Sequence, residues 1–335
     1  MPVILAAAQS HRPEGIMKTN PRIFVSVPDD KHLDARRRAL KRAITRFIAK
    51  QNFKLVGFEQ EQFGTKGRAH PESWTVEKAQ ELIRKCDGVL VLALARTHAR
   101  VLEPGNDTTG QQSGRDVILP TPYNHLEGAL GLANRLPPLI VCEENMDKIG
   151  IFDSGIKPAV IPADAKEKWV DTKSFRDRFD VWAEQVRDRR DVFLGYCSLA
   201  NAPAEKIRAY LEDNDFSVLD WARDFSSAGK FILEEIEMAA SLCRCAVFLF
   251  TTDDELEDDA KGKGKAPSGA VPRGNVLIEA GYFTQARGKE RVAIIRETGT
   301  KMPADFGGII YIPMEHRGRL SSVKKQLVSF LNKAL

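Results

Sequence analysis

The chain has 335 residues, about twice the length of an ordinary domain, so two folded domains are expected. Its 50 basic and 46 acidic residues leave a formal net charge of only +4, which gives no electrostatic reason to expect nucleic-acid binding. The apolar stretch 3–8 is too short to cross a bilayer and lacks the basic start of a secretion signal, so we expect a cytoplasmic protein without membrane contact. The five cysteines and six histidines show neither a disulfide pattern nor metal-ligand spacing, so we expect reduced, mostly buried thiols and no metal site.

The first half of the chain alternates short apolar runs with amphipathic stretches. Residues 1–20 lack this periodicity and are expected to form a flexible tail. Beyond them, strands are predicted at 23–27, 53–58, 88–94 and 139–143, and helices at 33–48, 76–85, 124–134 and 175–189. A long loop rich in Gly, Thr, Gln and Pro separates the third strand from its helix. This order predicts a parallel sheet covered on both faces, in a first domain of residues 21–188.

The second half repeats this order in a domain of residues 190–335, after a charged linker at 187–190. Strands are predicted at 192–196, 216–220, 246–251, 292–296 and 309–312, and helices at 204–213, 230–242, 275–287 and 321–335. A low-complexity loop at 253–274 is expected to be a solvated connection. The predicted fold class is therefore α/β, with two doubly wound parallel-sheet domains in tandem.

Polar and aromatic residues collect where the strands of the second domain end. Ligands of open parallel sheets bind beyond the carboxyl ends of the strands, so the loops after Tyr196, Asp220 and Thr251 should converge on one crevice. These loops and the following helix carry Ser198, Trp221, Arg223, Asp224, Phe225, Asn275, Glu279 and Tyr282. Aromatic rings can stack on the flat rings of a nucleotide while carboxylates accept its ribose hydroxyls, so this mixture favours a nucleotide ligand.

One segment narrows the interpretation. Residues 273–283 read RGNVLIEAGYF and resemble the R-x-N-V-x-x-E-x-G-Y-F signature of the prokaryotic TIR-like family of predicted nucleotide-binding proteins. Residues 191–196, 216–218 and 229–236 resemble the opening half of a TIR domain. The family's closing P-x-D-x-x-G-x-x-Y pattern is matched by Pro303, Asp305, Gly308 and Tyr311. The resemblance covers about residues 190–335 and implies a flavodoxin/TIR-like fold. Members of the family are antiphage effectors that deplete NAD, so it also implies an NAD glycohydrolase, with NAD as substrate and no separate cofactor.

Carried over onto this sequence, the family's catalytic glutamate falls on Glu279. The resemblance and the loop positions also give candidates for substrate binding. Tyr196, Trp221 and Phe225 could stack on the substrate rings, and Asp224 and Asn275 could form hydrogen bonds. Arg223 or Lys230 could contact the pyrophosphate, and Ser198 and Tyr282 are further lining residues. The sequence departs from the pattern in two places: Thr252 stands where a proline is usual, and Asn275 replaces the tryptophan of animal TIR enzymes. In a plainer interpretation, Glu279 only complements the helix dipole and the aromatic residues belong to the core.

The first domain is similar to a second TIR-like or nucleoside deoxyribosyltransferase-like module. Its fourth helix opens with PYNHLEGA, in which Asn124 and Glu127 are candidate ligand-binding residues. It has no Arg-x-Asn-Val or Gly-Tyr-Phe segment there, so we expect it to bind or assemble, for example as a sensor of a cyclic nucleotide or another nucleotide signal. The basic stretch 36–42 is interpreted as a solvated helix face. The resemblance further implies that the protein acts as a homo-oligomer or filament.

Two alternatives remain at this point. A nucleoside deoxyribosyltransferase or nucleoside hydrolase would use Glu127 or Glu279 on a nucleoside and would leave NAD intact. A non-catalytic scaffold would bind nucleotides or partners through both domains without turnover.

Overall fold

The structure is a computed structural model that describes residues 20–58, 74–102, 114–225, 232–252, 254–255, 270–302, 306–315 and 319–335. The described chain divides after Arg187 into two compact units, which we call the N-unit and the C-unit. Each contains one five-stranded parallel sheet, so the predicted fold class of two tandem α/β parallel-sheet domains is confirmed. Residues 1–19 of the predicted tail, most of the 253–274 loop and Lys230 lie outside the described residues.

In the N-unit, the described strands are β1 (Arg22–Ser26), β2 (Lys54–Val56), β3 (Gly88–Ala93), β4 (Thr97–Leu102), β5 (Gly114–Leu119), β6 (Pro138–Glu143) and β7 (Ala159–Ile161). The helices are α1 (Ala35–Lys50), α2 (Val76–Arg84), α3 (Pro122–Ala133) and α4 (Lys173–Arg187). The five-stranded sheet has the order β2-β1-β3-β6-β7, and all its neighbouring strands are parallel. Strand β3, with all its residues buried, is the central strand.

Side-chain caps explain where the N-unit helices start. Asp34 accepts a hydrogen bond from the backbone N–H of Arg37 at the start of α1, and Thr75 caps α2 in the same way. Helix α3 starts with Pro122, whose missing N–H costs nothing in the first helical turn, directly after the capping residue Thr121. These caps begin each helix within two residues of the predicted position.

Three strands of the N-unit were not predicted. The loop rich in Gly, Thr, Gln and Pro contains the antiparallel hairpin β4–β5. Its residues are mostly exposed, so the apolar alternation that indicates a strand is weak there. The short strand β7 completes the sheet beside β6 and has only two buried residues, Ala159 and Ile161.

In the C-unit, the described strands are β8 (Arg190–Tyr196), β9 (Val218–Asp220), β10 (Cys243–Phe250), β11 (Asp254–Glu255), β12 (Ala270–Val271), β13 (Val292–Glu297) and β14 (Ile310–Met314). The helices are α5 (Asn201–Glu212), α6 (Trp221–Asp224), α7 (Ile232–Leu242), α8 (Gly274–Arg287) and α9 (Ser321–Ala334). The large sheet has the order β14-β13-β10-β8-β9 and is parallel throughout, with β10 in the centre. Both units therefore place their third large-sheet strand in the middle.

The charged linker predicted at 187–190 is wrong for its last two residues. Arg190 begins β8 and is 1% exposed, and Arg189 is 2% exposed. The Arg189 Nη1 donates a 2.7 Å hydrogen bond to the carbonyl of Ser241, and the Arg190 Nη1 donates to the carbonyl of Asp188 at 2.9 Å. Carbonyl groups thus accept hydrogen bonds from terminal guanidinium nitrogens that charge alone would place in solvent.

The five cysteines are all buried and free, as predicted. In the N-unit, successive residues of β1 alternate between two apolar clusters, Ile23 and Val25 in one and Phe24 in the other, which is the pattern of a sheet covered on both faces. Among the helices of the described chain, none combines the length and the apolar character needed to cross a membrane.

Candidate functional site

Helix α8 carries Glu279 on the side that faces the C-unit core. Val276, Ala280 and Phe283 share this side, and all three are buried against the sheet. The ring of Phe283 stacks on Phe193 of β8, with 4.6 Å between the ring centroids and 13° between the ring planes. Because these residues recur at helical spacing around Glu279, their packing turns its carboxyl group inward, and only 3% of the residue is exposed.

Hydrogen bonds do not fully compensate for the burial of the Glu279 carboxyl group. Within the described residues, its Oε2 has no hydrogen-bond partner. Burial disfavours the charged form and raises the pKa of Glu279 to about 8. A buried ionisable group without a partner costs stability, and such groups are concentrated at functional sites.

A second acidic residue, Asp220, ends β9 and is buried. Its Oδ1 accepts a 2.7 Å hydrogen bond from the hydroxyl of Tyr196, which ends the neighbouring strand β8, and a 3.0 Å bond from the backbone N–H of Ala222. Its Oδ2 lies 3.5 Å from Nε of Arg208. Burial first, and then the hydrogen bond to Asp220, raise the pKa of Tyr196 above its usual range, so the phenol stays protonated as a donor.

The short helix α6 starts at this carboxylate and presents two aromatic rings. Trp221 and Phe225 stack on each other, with centroids 5.0 Å apart and planes at 25°. Both also meet Phe193 edge-on, with ring centroids 6.2 and 6.5 Å apart, and Phe193 in turn stacks on Phe283 of α8. The aromatic contacts join the α6 turn to the helix that carries Glu279.

Asp224 stands at the end of α6 and is partly buried. Its Oδ2 accepts a 2.8 Å hydrogen bond from the backbone N–H of Asp220, whereas its Oδ1 is buried and has no partner among the described residues. Burial is the largest cause that raises the pKa of Asp224. This side chain therefore helps to shape the turn and retains an unused acceptor.

The remaining predicted site residues differ in exposure. Ser198 is exposed, at the start of a 3-10 turn that follows β8. Arg223 and Asn275 are also exposed, and Tyr282 is half-buried against the core. Lys230 is outside the described residues. The contacts thus bring together Tyr196, Trp221, Asp224 and Phe225. Ring contacts through Phe193 and Phe283 connect this group to α8, the helix that carries Glu279.

Two acidic residues of this edge were missed by the sequence analysis as site residues, Asp220 and Glu297. Each is the last residue of a parallel strand, and each is buried. The Glu297 Oε2 accepts hydrogen bonds from the backbone N–H of Thr252 at 3.1 Å and from its hydroxyl at 3.3 Å. An acidic residue directly after an apolar strand is the signal that could have identified both.

The N-unit has an equivalent of the hydrogen bonds that Thr252 donates to Glu297, an arrangement that we call a clamp. Glu143, the last residue of β6, accepts a 2.7 Å hydrogen bond from the backbone N–H of Ala95, two residues beyond the end of β3. Thr252 likewise lies two residues beyond the end of β10. Glu143 also forms ion pairs with Arg36 and Arg37. The solvated basic face predicted at 36–42 is thus wrong for these two residues, because they neutralise a buried carboxylate.

Lys41, in the same stretch, is 3% exposed and donates a 2.7 Å hydrogen bond to the carbonyl of Pro28. Over the described ranges, groups of three or more His, Cys, Asp or Glu side chains that could hold a metal ion are absent.

Comparison with known proteins identifies the C-terminal part of the chain. Residues 191–316 match the family model described as CAP12/Pycsar effector protein, TIR domain. The Pycsar effector protein BcPycTIR of Burkholderia cepacia is 24% identical over 153 residues, which cover 40% of this chain and 48% of that protein. PaPycTIR of Pseudomonas aeruginosa is 27% identical over 184 residues, 49% of this chain and 56% of that protein.

CD-NTase-associated protein 12 of a Lachnospiraceae bacterium (strain RUG226) is 29% identical over 118 residues, 35% of each chain. The matches span about half the length of the two Pycsar effector proteins. The family model begins within β8 and includes Glu279 and the whole of α8. Residues 191–316 are therefore a prokaryotic TIR-like domain of the CAP12/Pycsar effector type.

Proposed function

We propose that the C-unit is an NAD glycohydrolase that cleaves the bond between nicotinamide and ribose, with Glu279 as the catalytic carboxylate. The observation that carries this proposal is the buried carboxyl group of Glu279, whose Oε2 lacks a hydrogen-bond partner in the described part of the chain. A protein that needed this helix only for packing would gain stability from an apolar residue at this position. A ligand that supplies a hydroxyl donor or a positive charge would satisfy the group.

The reaction suits a single carboxylate. The bond between ribose C1′ and the pyridinium nitrogen breaks, its electron pair goes to the nitrogen, and nicotinamide leaves as a neutral molecule. No general acid is required for this step. The developing positive charge on the ribose is stabilised by the ionised Glu279, and water then adds at C1′ and gives up a proton. The products are ADP-ribose, nicotinamide and a proton.

Substrate binding also favours the ionised form of Glu279. Burial raises its pKa to about 8, so the free site holds a protonated carboxyl group near neutral pH. The positive nicotinamide ring of NAD favours the ionised form when it lies beside the carboxyl group. The substrate therefore promotes the protonation state that the bond cleavage requires.

The aromatic turn provides the second part of the site in this proposal. Trp221 and Phe225 are half-buried, so each ring has a face that can stack on a flat ring of the substrate. The unpartnered Oδ1 of Asp224 is an acceptor for a hydroxyl or amino group of the ligand. Arg223 and Lys230 remain proposed contacts to the pyrophosphate, and Ser198, Asn275 and Tyr282 remain proposed lining residues.

The test is nicotinamide release from NAD by the full-length protein and by the Glu279→Gln variant, which keeps the size of the side chain. We expect turnover by the parent protein and a loss of at least about a hundredfold in the variant. Glu290→Gln, at an exposed position after α8, is the matched control and should retain full activity. Equal turnover by Glu279→Gln, or release of a nucleobase from nucleosides with NAD left intact, would contradict the proposal.

We further propose that the protein acts as an antiphage effector in the cytoplasm and is regulated by its N-unit and by self-association. The support is the similarity to proteins named as Pycsar effectors, together with a second folded unit. Helix α8 also exposes Ile278, 57% accessible, next in the chain to the buried Glu279. Specific activity that rises with protein concentration, and phage resistance that is lost in Glu279→Gln cells, are the expected results.

A further inference from the structure

The N-unit repeats the position of Glu279. Helix α3 follows the central strand β3 as α8 follows the central strand β10, and Glu127 is the sixth residue of α3 as Glu279 is of α8. Both glutamates are buried, with exposed fractions of 6% and 3%. The two carboxyl groups therefore occupy equivalent places at the carboxyl edges of their sheets.

Asn124 lies one turn before Glu127 and is fully buried. Its Nδ2 donates to the hydroxyl of Ser26 at 2.9 Å and to the carbonyl of Ser26 at 3.1 Å, which places the amide at the end of β1. Its Oδ1 has no partner among the described residues. A buried amide oxygen without a donor is costly and needs an explanation, and a bound group that donates a hydrogen bond is one.

Aromatic and basic groups are tied to the same first turns of α3. Trp74 donates from its Nε1 to Oε1 of Glu127 at 2.8 Å, and its ring lies 4.8 Å from the ring of Tyr123. Tyr123 is 44% exposed, so one face of its ring is open to a ligand. At the start of α3, the exposed Arg96 donates to the hydroxyl of Thr121 at 3.4 Å. A cation therefore stands beside the helix N-terminus, where backbone N–H groups favour an anion.

We propose that the carboxyl edge of the N-unit is a second ligand site, which binds a nucleoside monophosphate through Asn124, Glu127, Tyr123 and Arg96. Asn124 Oδ1 and Glu127 accept hydroxyl or amino donors of the nucleoside, the Tyr123 ring stacks on its base, and Arg96 with the start of α3 holds the phosphate. The ligand class rests on the proposed function, because the equivalent C-unit edge is there assigned to a nucleotide. The donor–acceptor placement rests on the N-unit alone.

Arg36 and Arg37 do not serve as the phosphate contact in this arrangement. Both pair with the buried Glu143, and the charge of Arg37 is further offset by Asp34. Arg96 has a neutral partner, Thr121, and can turn to an anion without leaving a buried charge uncompensated. The phosphate should therefore be recognised by Arg96 rather than by the arginines of α1.

The experiment is calorimetric titration of the full-length Glu279→Gln protein with adenosine 5′-monophosphate and, separately, with adenosine. We expect the monophosphate to bind and the added Glu127→Gln substitution to weaken it about tenfold or more. Arg96→Ala should weaken the monophosphate but leave adenosine unchanged. Lys157→Ala, an exposed cation elsewhere in the N-unit, is the matched control and should bind as the parent does.

Thermal unfolding identifies any variant that fails to fold, and Tyr123→Ala, at an exposed ring, supplies a second measurement at the same site. Absence of monophosphate binding at millimolar concentration would overturn the inference. Binding that survives Glu127→Gln and Tyr123→Ala but is lost with Trp221→Ala would also overturn it, because the ligand would then occupy the C-unit. NAD turnover by the parent protein is measured independently, so either proposal can fail alone.

Discussion

The hydroxyl of Tyr196 donates a 2.7 Å hydrogen bond to the buried carboxylate of Asp220 and so ties the last residues of two neighbouring strands. The same carboxylate accepts from the backbone N–H of Ala222 and thereby starts the α6 turn. A change at Tyr196 should therefore affect the position of Trp221 and Phe225. We therefore expect Tyr196 to act on the proposed site through its hydroxyl group, because the residue is only 6% exposed.

Tyr196→Phe should destabilise the protein by about 1–2 kcal/mol, because it removes one donor from a buried carboxylate. We expect the KM for NAD to rise while kcat changes less, since the turn that would hold the substrate loses its anchor. Urea unfolding and steady-state kinetics measure the two effects. Tyr210→Phe, on α5, is the control and should change neither. An unchanged KM in a destabilised Tyr196→Phe variant would limit this hydrogen bond to a structural role.

The stability of the protein should fall as the pH rises from about 4.5 to about 8. Glu279 ionises near pH 4.5 in the unfolded chain but near 8 in the folded one, so across this range the folded state binds more protons. The contribution of this residue is complete at low pH and declines by roughly 1.4 kcal/mol for each pH unit, up to the folded pKa. Denaturant unfolding of the parent and of Glu279→Gln at pH 5, 6, 7 and 8 isolates it.

The variant should therefore become progressively more stable than the parent as the pH rises. A constant difference between the two proteins across this range would show that Glu279 titrates normally.

Two glycines of the C-unit should respond in opposite ways to alanine. A Cβ at Gly195, inside β8, would lie 2.5 Å from the ring of Phe248, so Gly195→Ala should destabilise the protein by about 1–3 kcal/mol. A Cβ at Gly281, on the exposed side of α8, meets nothing within 4 Å, and alanine there should stabilise the helix by about 0.5–1 kcal/mol. Thermal and urea unfolding compare both with the parent protein. Stabilisation by Gly195→Ala would show that the Phe248 ring can move aside.

The sequence predicted the buried parallel strands well because such strands are continuous apolar runs between turn signals. The predicted strand 88–94 is β3, Gly88–Ala93, and the predicted helix 275–287 is α8, Gly274–Arg287. The equivalence of the two halves was also visible, since each places a glutamate early in the helix after its central strand. The motif around Glu279 predicted a functional carboxylate on α8, but it did not predict that this residue is buried.

Other features depend on tertiary contacts that periodicity does not encode. The β4–β5 hairpin is exposed, and the buried Arg189 donates to the carbonyl of Ser241, which is 52 positions away in the chain. The hydrogen bond from Trp74 to Glu127 joins residues 53 positions apart, and no local pattern predicts it. The clamp of Glu297 on Thr252 was missed because the predicted strand ended one residue early, at 296.

At position 279 of α8, selection for a stable fold and selection for the proposed chemistry favour different residues. Folding alone would favour leucine or methionine at position 279, since either fills the same space without the desolvation penalty. A survey of all substitutions scored for cellular abundance should therefore rank apolar residues there above the natural glutamate, whereas the same library scored for NAD loss should retain glutamate. In lineages that kept the fold and abandoned the chemistry, this codon is where drift towards hydrophobic residues should be seen first.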